Sequence, residues 1–180
     1  MAKYEVSGPG AEVWLNRILA NRMPKAIGRI VLAHFLTSKG TVRAEFTVTR
    51  LDENLFYLIG TPRGERHDFD ILEKALPLDG SVKLFNVTLE RGGFTVVGPN
   101  SRKVLENLVE TDLSNENFPW MSAKSVTVGL ASDVRLMRVN YEGELGWELY
   151  HPITYNLHLF EEISKAGKAY GLKHCGYRAI

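Results

Sequence analysis

The sequence predicts an α+β fold made of two related halves, each opening with a strand, a tight turn and a helix and each built on an antiparallel sheet. Three observations carry this. The stretch VSGPGAEVWLNRIL (Val6–Leu19) returns as VVGPNSRKVLENLV (Val96–Val109), placing Val6, Gly8, Pro9, Leu15 and Ile18 on Val96, Gly98, Pro99, Leu105 and Leu108, ninety residues on. Both copies carry one stripe at helical spacing: Ala11, Trp14, Leu15, Ile18 and Leu19 in the first, and Ser101, Val104, Leu105, Leu108 and Val109 in the second. Between the copies, and again after the second, apolar and polar residues alternate as in half-buried strands.

The elements follow in order. The runs KYEV and FTVV are the two opening strands, and the Gly-Pro after each allows a sharp turn into a helix whose first turn suits proline. Arg29 to Thr37 reads as a strand. In Thr41 to Arg50, Val42, Ala44, Phe46 and Val48 face one way while Arg43, Glu45, Thr47 and Thr49 face the other. Asn54 to Gly60 is a buried strand, and Gly64 to Leu76 a helix with Phe69, Leu72, Ala75 and Leu76 on one face. SVKLFNVTLE and GFTVVG read as a hairpin turning at Arg91-Gly92-Gly93. Strands near Val134–Tyr141 and Trp147–His151 and a helix from Thr154 to about Gly171 complete the pattern. The expected division is 1–92 and 93–180, the second half truncated at its C-terminus.

Composition narrows the function classes. Lys and Arg number 22, Asp and Glu 21, so a net charge of +1 offers no electrostatic case for nucleic acid or an acidic membrane surface. Apolar residues at 44% and charged residues at 24% fit a soluble globular protein. One cysteine, Cys175, precludes an internal disulfide and fits a reducing compartment, and no apolar run approaches the ~20 residues that span a bilayer. A cytoplasmic location is expected, or the mitochondrial matrix in a eukaryote.

Several chemistries fail on spacing. SGPGAEV has Val13 where a dinucleotide fingerprint needs glycine, and Pro9 removes an N–H that phosphate would use. The histidines His34, His67, His151, His158 and His174 form no i, i+3 or i+4 pair, so no metal is expected. His174-Cys175 are chain neighbours, which point apart, and a plain cysteine is the better reading.

One stretch holds more. YEGELGWELYHP (Tyr141–Pro152) carries Glu142, Glu144 and Glu148, with glycines at 143 and 146 suiting a strand-turn-strand corner. Leu145, Trp147 and Leu149 share one face, which puts Glu148 on the other. A carboxylate there can accept two parallel hydrogen bonds from a planar N–H/NH₂ edge. From spacing alone, three glutamates that simply solvate a hairpin are the favoured reading.

These residues carry a resemblance. YEGELGWELYHP, with RMPKAIGRIVLAHFLTSKGTVRAEFTVTRLDE, FPWMSAKSVTVG and CGYRA in that order, resembles the aminomethyltransferase-type folate-binding region of dimethylglycine and sarcosine dehydrogenases. The glycine cleavage T-protein is a more distant relative. The resemblance implies a T-protein-like fold that binds tetrahydrofolate and captures an imine or formaldehyde unit as 5,10-methylenetetrahydrofolate. It implies Glu148 as the grip on the pterin ring and Tyr141 as a residue lining the same site. Glu45 matches a carboxylate, commonly aspartate in relatives, beside the reacting nitrogens, where it would stabilise developing positive charge and accept a proton. FAD is expected only in a separate domain or subunit, which makes a flavin-dependent oxidase or dehydrogenase the implied partner. Arg178 belongs to a motif that Ile180 interrupts. The alternative is a non-catalytic folate-binding or interaction fragment of the same fold.

Overall fold

Gly8 and Gly98, ninety residues apart, hold nearly the same backbone angle, φ +117° and +113°, which L side chains rarely adopt. Each closes the same turn: Ala11 N donates to Gly8 O at 3.0 Å and Ser101 N to Gly98 O at 3.0 Å. The prolines stand inside this turn, one residue before the N-caps Gly10 and Asn100, and not at the first helical position. The computed structural model describes residues 1–141 and 143–176; Glu142 and Arg178, named above, lie outside the described residues.

The chain forms two compact units, Met1–Leu89 and Glu90–Ile180. The first contains β1 (Ala2–Ser7), α1 (Ala11–Ile18), β2 (Leu19–Ala20), β3 (Ile30–Leu36), β4 (Val42–Asp52), β5 (Leu55–Gly60), α2 (Glu65–Lys74) and β6 (Lys83–Asn86). Its sheet has the order β2-β3-β4-β5-β1-β6, with all five neighbouring pairs antiparallel. The predicted stripe of α1 is the buried one: Ala11, Trp14 and Leu15 pack with Tyr4, Val6, Phe46, Phe56, Leu58 and Leu72. Removing each such side chain from water stabilises the fold by about 1.5–3 kcal/mol. Trp14 satisfies its indole by donating to Ala75 O at 2.7 Å.

The second unit contains β7 (Arg91–Val97), α3 (Ser101–Glu106), β8 (Ala123–Val128), β9 (Ala131–Met137), β10 (Gly146–Pro152) and α4 (Asn156–Gly167), with sheet order β7-β10-β9-β8. Its separate core joins Val96, Val104, Leu105, Phe118, Leu136, Trp147 and Leu149. Overlaid by the repeat, β7-β10-β9-β8 matches β1-β5-β4-β3, and α3 and α4 match α1 and α2. Among the described residues the first unit has two further strands, β2 outside β3 and β6 outside β1.

Three expectations are corrected. SVKLFNVTLE and GFTVVG do not form a hairpin: β6 pairs with β1, β7 pairs with β10, and the chain passes from one unit to the next between them. Gly92 serves packing there, since a Cβ would lie 2.4 Å from the His151 ring. Val42 is 61% exposed, not core-facing, because the register shifts beside Phe35 and Leu36 and ends the alternation. The helix over 154–171 is α4 with short 3-10 turns at Ile153–Tyr155 and Lys168–Tyr170, ending at Gly171 with φ +71°. The sequence reading also passes over β2, which is two residues long, and β8, whose alternation is diluted by Lys124 and Ser125.

Candidate functional site

Each unit places one of the predicted acidic residues on the sheet face turned away from its own core. In the first, Ala44, Phe46 and Val48 of β4 are buried in the core, so Glu45 between them points the other way. Glu45 stands directly opposite His34 of β3, and His34 Nε2 lies 2.8 Å from Glu45 Oε2. The Glu45 side chain is 46% exposed, open enough to meet a ligand. Further along the same face Thr49, Tyr57 and Ile59 are buried, so the face grades from dry to wet toward Glu45.

In the second unit Trp147 and Leu149 are fully buried and Glu148 lies on the opposite face, as their alternation requires. Tyr150, two residues on and therefore on the same face, donates its hydroxyl to Glu148 Oε2 at 2.8 Å. Gly93 on β7 lies opposite Tyr150, and a Cβ there would stand 3.1 Å from the tyrosine ring. Across the ladders Glu148 faces Thr95 and Met137, and Tyr150 faces the buried Arg135. Beneath, Trp147 packs edge-on against Phe118 with centroids 5.0 Å apart, and Arg138 stands over its ring at 5.9 Å. Burial lowers the Arg138 pKa; its guanidinium also donates to Phe118 O at 2.7 Å.

The loop before β10 is the expected corner. Gly143 has φ +77°, its N–H donates to Asn140 Oδ1 at 3.1 Å, and Asn140 in turn donates to Glu144 O. Tyr141 sits in this loop, 91% exposed, while Glu148 is in the strand. Tyr150 is a partner that the structure brings onto Glu148. Sequence reasoning missed it and His34. Tyr150 follows Glu148 by the strand period of two, a signal the sequence holds, whereas His34 comes opposite Glu45 only through the register shift beside Phe35 and Leu36.

The turns the sequence analysis set aside have their donors occupied. Gly8 N donates to Asn54 O at 3.0 Å, Gly10 N to Ser81 O at 3.1 Å and Gly98 N to Leu145 O at 2.8 Å, so these N–H groups hold the fold together. Among the described residues, no three His, Cys, Asp or Glu side chains are grouped to hold a metal ion, and no helix is long and apolar enough to cross a membrane.

Comparison with known proteins places this geometry in a family. The chain is 36% identical over 181 residues to the mitochondrial dimethylglycine dehydrogenase of Rattus norvegicus, covering 99% of this chain and 21% of that protein. It is 30% identical over 180 residues to the mitochondrial pyruvate dehydrogenase phosphatase regulatory subunit of Mus musculus, covering 99% and 20%. The chain thus spans about a fifth of the length of these curated relatives. Two solved structures share the fold. Glycine cleavage system aminomethyltransferase T from Bartonella henselae superposes with a TM-score of 0.76 at 24% identity, over 91% of this chain and 43% of that one. Heterotetrameric sarcosine oxidase from Corynebacterium sp. U-96 superposes with a TM-score of 0.73 at 18% identity, over 97% and 83%. The family model described as the GCVT N-terminal domain matches residues 1–180, the whole chain, and with the repeat and sheet order described above it shows that this chain belongs to the GCVT N-terminal domain family.

Proposed function

We propose that this chain is a tetrahydrofolate-binding domain for one-carbon transfer, acting within a larger dehydrogenase-like or aminomethyltransferase-like protein. The observation that carries the reading is Glu148, a half-buried carboxylate on the face of β10 turned away from the core, whose Oε2 is held by the Tyr150 hydroxyl at 2.8 Å. A carboxylate offers two oxygens with about four acceptor positions between them, the donor-matching geometry that two parallel N–H bonds from the edge of a reduced pterin require. Tyr150 fixes the direction of that grip, and Tyr141 on the preceding loop lines the ligand's approach.

Glu45 serves the second role. Reduced folate supplies the nucleophilic nitrogens that capture an imine or formaldehyde unit as 5,10-methylenetetrahydrofolate. Positive charge grows at the reacting carbon and nitrogen, and the Glu45 carboxylate stabilises it and accepts the proton released. His34 restrains the glutamate, which reaches one methylene further than an aspartate. The one-carbon unit would come from an amine-oxidising flavin domain or subunit elsewhere, which the kinship to a dimethylglycine dehydrogenase and the fold shared with sarcosine oxidase favour.

Calorimetric titration of the chain with tetrahydrofolate tests the reading: saturable binding is expected, and heat of dilution alone would reject it. The kinship to a phosphatase regulatory subunit favours a second reading, a scaffold that binds folate or a partner without turnover. Binding without accelerated methylenetetrahydrofolate formation from formaldehyde would select it.

A further inference from the structure

Of the two edges at which the units' sheets differ, the one at β1 and β7 bears on the chain's own C-terminal segment. In the first unit, β6 covers the outer edge of β1 with Tyr4 opposite Asn86, Glu5 opposite Phe85, Val6 opposite Leu84 and Ser7 opposite Lys83. In the second, β7 is the matching strand and stands at the end of the sheet. Moving the first register ninety residues along puts Phe94 opposite Gly176, Thr95 opposite Cys175, Val96 opposite His174 and Val97 opposite Lys173. In this structure Lys173–Gly176 run near β7 without joining its ladder, and a cavity of about 560 Å³ separates them, lined by Phe94, Val96, Phe160, Leu172, His174 and Cys175 among others.

We propose that the outer edge of β7 is a strand-docking site and that its occupant is the chain's own Lys173–Gly176, paired antiparallel in the register of β1 with β6. The approach to that strand is already laid down. Val82, just before β6, is buried in the first core; Leu172, ninety residues on, packs against the second. His174 takes the place of Leu84 on the inner side of the strand, its ring 4.7 Å from Phe160 and its Nε2 2.9 Å from Ser164 Oγ. Leu172, packed against the core, and His174, against Phe160 and Ser164, stand two residues apart, the spacing of one face of a strand. An open edge with apolar lining is a template for any extended chain, and this segment covers it from within. The inference is independent of the folate reading.

The single cysteine supplies the test. Thr95→Cys places a thiol directly opposite Cys175 in the proposed register, whereas Asn100→Cys places one on the same cavity rim but out of register. Because a disulfide needs Cα atoms roughly 4.4–6.8 Å apart, mild oxidation is expected to close the Thr95→Cys pair within one chain about tenfold faster than the control. Hydrogen exchange on the unaltered chain is expected to show slowed amides within Lys173–Gly176. Equal oxidation rates, disulfide-linked dimers or unprotected exchange across the segment would each overturn the proposal, the dimers by showing that a second copy takes the edge.

Discussion

His34 and Glu45 face each other across the β3–β4 ladder with Nε2 and Oε2 2.8 Å apart, so the carboxylate assigned to the reacting end of the ligand is steered from a neighbouring strand. His34→Ala is expected to leave folate affinity unchanged and to slow formaldehyde condensation about 2- to 10-fold, the worth of one hydrogen bond. Glu45→Gln should slow it further with binding still near normal. Single-turnover condensation beside calorimetric affinity separates the two effects. A loss of affinity equal to the loss of rate would move both residues out of the chemical step.

Glu148 and Tyr150 lead to the converse expectation. Glu148→Gln should weaken tetrahydrofolate binding by about 1–3 kcal/mol, the cost of unpairing a charge-assisted contact, and Tyr150→Phe by about 1 kcal/mol. Unchanged dissociation constants in both variants would remove β10 from the ligand's surroundings.

Gly8 and Gly98 share their backbone angle and not their surroundings. A Cβ at Gly8 would lie 2.3 Å from Ser81 O, while none of the neighbouring atoms comes within 4 Å of a Cβ at Gly98. Gly98→Ala is therefore expected to cost the conformational strain alone, about 1–3 kcal/mol. Gly8→Ala adds a collision with backbone and should be the more destabilising of the two in urea melts. The reverse order would mean that the strain, not the contact, dominates at Gly8.

Acid stability should report on Glu12. Its carboxyl is held below the usual range first by the Lys25 ammonium and then by the Arg50 guanidinium, whose Nη1 lies 2.7 Å from Glu12 Oε2. A carboxyl depressed on folding stabilises the protein above its unfolded pKa, near 4.3, and that contribution fades as pH falls through the lower folded value. Glu12→Gln should thus lower stability by about 1 kcal/mol at pH 7, a modest figure because the carboxylate is partly solvated, and make the decline below about pH 4 shallower. Denaturant midpoints at pH 7 and pH 3 check both. Arg50→Met should cost more, since it also removes bonds to Pro24 O and Glu53 O.

What could be read from the chain divides along physical lines. The repeat, both helix stripes and the placement of Glu148 on the face opposite Trp147 and Leu149 were legible because they depend on local periodicity, which a single sequence records. The pairing of β6 with β1 was not. It joins residues some eighty apart, while Gly92 and Gly93 offered a local turn that seemed sufficient. Glu45 was singled out through resemblance, but its partner His34 depends on register, which a bulge beside Phe35 and Leu36 shifts by one residue. Tyr150 was overlooked for a different reason: a tyrosine in an apolar strand reads as core, and only the bare backbone at Gly93 makes room for its ring to lie where its hydroxyl meets a carboxylate.

On the proposed site, that bare backbone would give evolution a remote control over affinity. A side chain at residue 93 would displace the aromatic ring, and the ring would drag the acid with it, retuning recognition through a residue that need never meet the ligand. Diversity among members of this family at position 93 would accordingly track what they bind more closely than its distance from the acid suggests.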